Sequence, residues 1–379
     1  MQIPVKPEVL RWARETSGYS RAAIDAKLGD ATLVDKLESG RVQPTLGQLD
    51  KLAKFYGRPL FVLVSSTIPK EPPPPRDYRR ASGSREEISP LLVEQIRSAR
   101  RIQRLANEIG IQTRLRRDES RDLSLDRARS LARRVREEQL RVSVAEQEQR
   151  SEGSAPWSLW RSAVEDRGVV VLQRTLRETG VRGFSLTDQG PAVIVVNRSE
   201  AAYTGRVFTL FHEYAHVLLR NGGLCFPDEH RGSGGGISLE SFCDEFAGQV
   251  LVPREALDRL PLQEVLPDGE VNESALARAS GSIGVSRQVL LRRLFSEGFV
   301  SWTAYEATWS IWASRPTPPP KTGGGGESRW LRALREDGRL VVESILAAER
   351  DGSLETSDAL AAMGVHLTDL SKLHEQLEV

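Results

Sequence analysis

With 53 basic against 52 acidic side chains, the 379 residues carry a net charge of +1, so there is no global pull toward nucleic acid or an anionic membrane and any such contact must be local. The length allows two or three domains at about 100–200 residues each. A hydrophobic share of 39% with 28% charge excludes wholesale disorder, and two cysteines, Cys225 and Cys243, fit a reduced compartment better than a disulfide-stapled secreted fold.

From Met1 to Lys6 there is no apolar core of a signal peptide. The longest apolar runs, 59–64 and 191–196, fall far short of the ~20 residues of a membrane helix. The expectation is a cytoplasmic protein with no membrane contact. A proline run, Lys70 to Pro75, and the segment Pro316 to Gly326 (PTPPPKTGGGG) break the composition, because neither continues a helix or a central strand. The expected organisation is therefore a helical domain at 1–67, a proline-rich linker at 68–90 and a central domain at 91–313. A Pro/Gly linker at 314–327 and a C-terminal helical domain at 328–379 follow.

In the first block, Val9, Leu10 and Ala13 recur at helical spacing over Pro7 to Glu15. Ser20 caps a helix over Arg21 to Leu28, and Ala31 to Glu38 follows a Gly29-Asp30 turn and stops at Gly40. Leu49, Leu52, Ala53 and Phe55 mark a fourth helix, Leu46 to Tyr56, ending at Gly57. The central block opens with an Arg-rich helical lead-in, 91–150, whose charges alternate in sign as on solvated faces. Arg97, Arg100, Arg101 and Arg104 share one face there, either contacting phosphate or forming a solvated surface with Glu94 and Glu108. Strand-like runs come next at 168–172, 183–186 and 191–196, then helices at 205–220, 239–251 and 287–295. A small sheet followed by helices is an α+β layout.

The chemistry gathers at His212-Glu213-Tyr214-Ala215-His216. Residues four apart share a helix face, so His212 and His216 can present two imidazole nitrogens to one metal ion, with Glu213 beside them to deprotonate water. The chain has only five histidines, and two of them fall in this pattern on an apolar helix. Glu240, 24 residues after His216, is the candidate third ligand; Asp244 shares its helix face. One of the two carboxylates can bind metal while the other hydrogen-bonds a ligand histidine. The alternative for Glu240 is a solvated carboxylate at a helix start. Cys225 and Cys243 lack C-x-x-C spacing and read as small buried residues. His230, in a Gly-rich loop, and Tyr203 are candidates for stabilising a tetrahedral intermediate.

These residues resemble the ImmA/IrrE family of zinc metallo-endopeptidases, in the version with an N-terminal helix-turn-helix of the XRE (Cro/C1-type) class. HEYAHVLL resembles the family's H-E-x-x-H helix. ESFCDEFAGQVLVP (Glu240 to Pro253) resembles its E-x-x-A-(N/D)-x-F-A-x-x-L-L-x-P segment, with Cys243 where Ala is usual and Asp244 at the Asn/Asp position. LRWARETSGYS and LDKLAKFYGRPLFVLV resemble the fused module, and together the likeness spans most of residues 7–313. It implies an N-terminal all-α helix-turn-helix domain and a zincin-like core with a small sheet and active-site helices. It implies Zn2+ held by His212, His216 and Glu240 in a gluzincin-like set, Glu213 as general base, and Asp244 behind a ligand histidine. It also implies a protein substrate, a helix-turn-helix repressor, whose cleavage switches genes of phage, mobile elements or stress responses.

An XRE fold puts Ala31 to Ser39 in the major groove, where Thr32, Lys36, Ser39 and Arg41 are the candidate DNA contacts. Asp35 and Glu38 work against that, and the helix has no Arg, Asn or Gln to read bases. The block 1–67 therefore either binds DNA or serves dimerisation or substrate docking, so a second copy of the chain is a further candidate partner. The unit around Ile283 to Phe295 also looks helix-turn-helix-like and is expected to be structural. A regulator or antitoxin-like protein whose zinc domain senses and cuts little is the rival reading.

Overall fold

The computed structural model describes residues 2–71, 76–77, 88–116, 118, 120, 122–178, 180–200, 202–220, 222–225, 237–314 and 326–377. It resolves into two compact units, Met1–Pro74 with Arg80–Ser98 and Leu176–Thr179, and Pro75–Arg79 with Ala99–Thr175 and Gly180–Val379. His230 and most of the segment 314–327 lie outside the described residues.

The first unit is a set of short helices: α1 (Pro7–Glu15), α2 (Arg21–Leu28), α3 (Leu33–Glu38), α4 (Leu46–Tyr56) and α5 (Leu60–Leu63). Several ends have a local cause. Pro7 starts α1, the Ser20 hydroxyl accepts from Ala23 N, and Thr45 with Gln48 forms a reciprocal capping box. Gly29 and Gly57 take the left-handed conformation that ends α2 and α4. Leu10, Ala13, Ile24, Val34, Leu49, Leu52 and Tyr56 fill the core. Glu38 is 2% exposed and accepts from Arg14 at 2.6 and 3.2 Å and from Arg21 at 2.9 Å, so it is a core ion rather than a surface charge.

The second unit carries a five-stranded sheet. Its strands are β1 (Arg76–Asp77), β2 (Val170–Arg174), β3 (Gly183–Leu186), β4 (Val193–Asn197) and β5 (Gly223–Cys225), in the order β1-β5-β3-β4-β2. Val170 pairs with Val193 in the parallel β2–β4 ladder, while β3 runs antiparallel to β4 and to β5. Sequence periodicity finds β2, β3 and β4; β1 and β5 hold two and three residues, too few for a period-2 signal. Between β1 and β2 the chain forms α6 (Pro90–Glu108), which the unit boundary crosses, α7 (Leu125–Arg134), a π-helical turn at Val135–Leu140, α8 (Val144–Gln149) and α9 (Ala155–Glu165), the last packing on β2.

The longest buried helix is α10 (Tyr203–Leu218), which packs on β3 and β4, on α9 and on α11 (Leu239–Leu251). Trp160 of α9, fully buried, meets Phe211 of α10 edge-on with centroids 4.9 Å apart, and Arg136 stacks over the Trp160 ring at 5.2 Å. The short helices α12 (Arg254–Asp258) and α13 (Leu262–Val265) lead to α14 (Glu273–Ser282), α15 (Arg287–Ser296) and α16 (Trp302–Ala313).

The C-terminal helices α17 (Arg329–Asp337), α18 (Arg339–Arg350), α19 (Thr356–Met363) and α20 (Leu367–Leu377) belong to this same unit. They cover the edge strand β2. Arg161 and Gln173 donate to the Arg335 carbonyl at 2.8 and 3.0 Å, and Arg174 donates to the Glu336 carbonyl at 2.7 Å and pairs with Asp337. A covered edge cannot pair with another chain. Removing the largest core ring should be costly: Trp160→Ala is expected to destabilise the protein by about 3–5 kcal/mol, read as a lower midpoint in urea unfolding.

Candidate metal centre

Twelve of the sixteen residues of α10 are buried, because sheet, α9 and α11 close around it. Its apolar side chains, among them Val207, Leu210, Phe211, Ala215 and Leu218, account for that burial. Its ionisable ones do not. His212 is 7% exposed, and Glu213 and His216 are 0% exposed, a costly position for charge unless each group meets an opposite or a ligand.

The partner comes from α11, whose N-terminus is capped by Ser238 accepting from Ser241 N. Glu240 in its first turn places Oε2 3.0 Å from His212 Nε2 and Oε1 3.4 Å from His216 Nε2, and the two Nε2 atoms are 3.3 Å apart. Ligand atoms about 2.0–2.1 Å from one tetrahedral zinc lie about 3.3–3.4 Å from each other; the two imidazole nitrogens match that edge, and the Glu240 carboxylate faces them with one oxygen toward each. Asp244, one turn further on, receives the His212 Nδ1 proton at 2.8 Å, which leaves the Nε2 lone pair on the side facing His216 and Glu240. The solvated-carboxylate alternative for Glu240 does not hold, since its side chain is 15% exposed and engaged by both imidazoles.

The electrostatics describe the same demand for a cation. Burial works against a charged His212, yet hydrogen bonds to Asp244 and Glu240 raise it to about 10. Glu240, despite burial that pushes it up, is drawn down to about 2 by His212 and His216. Asp244 is likewise buried and is held well below the usual carboxylate range by Arg292 and His212. A positive charge belongs between these oxygens, and either a proton or a metal ion supplies it. The donor set, two imidazoles and a carboxylate, is one that suits zinc.

Glu213 projects from the same helix toward β3. A Cβ on Gly183 would sit 3.1 Å from Glu213 Oε1, 2.9 Å from Thr209 Cγ2 and 2.7 Å from the Val195 carbonyl, so the strand's missing side chain makes room for the carboxylate. A cavity of about 210 Å³ opens beside His212 and Glu213, walled by Phe208, Val289, Tyr305 and Trp309. Arg182 and Glu200 also line it; burial raises the Glu200 carboxyl, against the pull of Arg182. A mostly apolar cleft with a few convergent polar groups is the usual form of a substrate site.

Sequence reasoning missed Arg292. It lies on α15, in the stretch read as structural, and donates to Asp244 Oδ2 at 2.7 Å while lining the cavity. Cys243 is fully buried as expected, but its Sγ lies within 4.8 Å of the ligand atoms of His212 and His216. Burial, then the carboxylates Glu240, Asp244 and Glu213, push its thiol well up, which disfavours the thiolate a metal would need. Tyr203 is 37% exposed, with the Arg206 guanidinium 4.8 Å over its ring, and is not part of the cavity wall. In the lead-in helix, Arg97 donates to the carbonyls of Tyr56 and Thr16 and Arg100 pairs with Asp188, so these two are committed within the protein.

In the first unit the exposed side of α3 presents Thr32 and Ser39, with Lys36 half-buried between them. The Thr32 hydroxyl donates to Asp30 at 3.1 Å, and the Ser39 hydroxyl donates to the Lys36 carbonyl at 3.2 Å. Arg41 pairs with Asp35 at 3.4 Å, and Arg21 approaches the same carboxylate at 3.5 Å. Glu38 faces inward and adds no repulsion on this surface; Asp35 is the acidic group that remains there.

Residues 164–295 match the family model of the IrrE N-terminal-like domain, a metallopeptidase family (Peptidase M78), and residues 10–63 match the helix-turn-helix model of the XRE type. The first match begins at the end of α9 and closes near the end of α15, so it encloses the sheet core, both motif helices and Arg292. It brings with it the implication of a bound metal. No curated protein and no solved structure matches the chain significantly.

A ligand that binds the folded chain alone stabilises it by mass action, by about 2.7 kcal/mol at a hundredfold excess over Kd. Added zinc is therefore expected to raise the thermal midpoint and a chelator to lower it, with both responses lost in Glu240→Ala. For the first unit, Lys36→Ala is expected to weaken duplex binding and reduce the salt slope by about 1, and Asp35→Asn to strengthen binding, both read by fluorescence anisotropy at several salt concentrations.

Proposed function

We propose that the protein is a zinc-dependent endopeptidase of the cytoplasm that controls transcription by cutting a helix-turn-helix repressor at a specific site. The observation that carries this reading is the convergence of the His212 and His216 Nε2 atoms, 3.3 Å apart, on the Glu240 carboxylate at 3.0 and 3.4 Å, beside a buried Glu213 and an open cavity. His212, His216 and Glu240 hold the metal, and Asp244 fixes the tautomer of His212. Zinc in such a set supplies the Lewis acidity that polarises a peptide carbonyl and acidifies water. Glu213 takes the water's proton and delivers it to the departing amine, a transfer favoured by its burial out of bulk water. Phe208, Val289, Tyr305 and Trp309 exclude solvent from the bound segment and hold an apolar side chain next to the cut.

The substrate class rests on the fused helix-turn-helix unit, which links the metallopeptidase domain to transcription. Thr32, Lys36, Ser39 and Arg41 are the residues it offers to DNA, and a second copy of the chain or the repressor itself are the other partners for that unit.

A second reading, a regulator whose metal domain senses and cuts little, has one observation in its favour: the Cys243 sulfur beside both imidazoles is a soft donor that could close the coordination sphere. Metal analysis and cleavage of the repressor encoded nearby separate the two. Glu213→Gln is expected to keep its zinc and to lose cleavage by at least a hundredfold, the low end of what general-base catalysis contributes. Zinc in both proteins with cleavage in neither supports the sensor.

A further inference from the structure

Asp244 is a two-sided carboxylate. Its Oδ1 receives the His212 Nδ1 proton at 2.8 Å, and its Oδ2 receives Arg292 Nη1 at 2.7 Å. The three side chains come from α10, α11 and α15, and Arg292 is 80 positions from His212 in the chain. We propose that Arg292 is a positioning residue for the metal centre: it locks Asp244 in the rotamer that aims His212 Nε2 at the ion.

Charge bookkeeping supports this. Glu213, Glu240 and Asp244 bring three carboxylates into one largely enclosed cluster, and a guanidinium, that of Arg292, is bonded to it at Asp244. A dication and Arg292 together cancel the three carboxylates. The second guanidinium of the cavity wall, Arg182, acts on Glu200 instead. Without Arg292, the Asp244 carboxylate would lose the donor that holds its Oδ2, and its side chain could swing toward the cavity. That change frees the His212 ring and weakens its Nε2 as a ligand. The planar guanidinium matters as well, because it reaches the carboxylate from α15 with fixed direction, where an ammonium acts as a point charge.

The inference rests on the zinc-site reading above, so its test reads the metal directly. Zinc affinity is measured by competition with a chelating dye for wild type, Arg292→Met, Arg292→Lys, Asp244→Asn and the Asp244→Asn/Arg292→Met double variant, each checked for native circular dichroism. Loss of an outer hydrogen-bond partner typically weakens metal affinity about 10–100-fold, and that is the drop expected for Arg292→Met, with partial recovery in Arg292→Lys. The double variant is expected to bind zinc no worse than Asp244→Asn alone, because Arg292 acts through that carboxylate. Unchanged affinity in Arg292→Met overturns the proposal. So does a double variant whose loss equals the sum of the single losses, which would make Arg292 an independent contact of the cavity. Should Arg292→Met fail to fold, the Arg292→Lys and Asp244→Asn/Arg292→Lys pair carries the same comparison. A wild type that takes up no zinc overturns the metal reading itself, a result distinguishable from either of these.

Discussion

Burying charge on a helix that the core surrounds is the constraint from which the rest of the second unit follows. His212, Glu213 and His216 occupy positions on α10 that packing alone would give to leucines. Their desolvation is offset only if other elements deliver the right counter-groups at hydrogen-bond distance. α11 delivers Glu240 and Asp244, four residues apart on one face, and α15 delivers Arg292 to the far oxygen of Asp244. The helices past the motif are therefore tied to it electrostatically as well as by their apolar faces. A fold that lost the register of α11 by one residue would turn both carboxylates away from α10.

The same logic appears in the first unit on a smaller scale. Glu38 looks in sequence like an obstacle to DNA, since it stands in the helix that the resemblance assigns to a groove. In space it is enclosed by Arg14 and Arg21 and ties α1 and α2 to α3. The charge that matters for the exposed surface is Asp35, shared between Arg21 and Arg41.

Much of this was legible in the chain. Pro7–Glu15 and Leu46–Tyr56 appear with the boundaries that periodicity and caps predict. The i, i+4 spacing of His212 and His216, and the following Glu240 and Asp244, carry the site because a helix turns that spacing into a shared face. What stayed hidden depends on contacts between distant segments. Arg292 sits among Arg287 and Arg293 on a helix read as structural, and nothing local says which arginine turns inward toward Asp244. The strands β1 and β5 are too short for a pattern. The docking of 329–377 on β2 runs through carbonyls of Arg335 and Glu336, groups that every residue has and that no sequence pattern marks.

Gly183 bears on how this architecture can vary. Any side chain there meets the Val195 carbonyl, Thr209 and Glu213 together, so the depth at which α10 lies against the sheet is set by a residue with nothing to contribute but its smallness. Change elsewhere in the cavity, at Phe208, Val289 or Trp309, alters what fits without moving the carboxylate. Change at Gly183 would lift the helix and carry both histidines with it. The strand thus separates two kinds of evolutionary freedom, letting the cavity wall change while the distance from the sheet to His212 and His216 stays fixed.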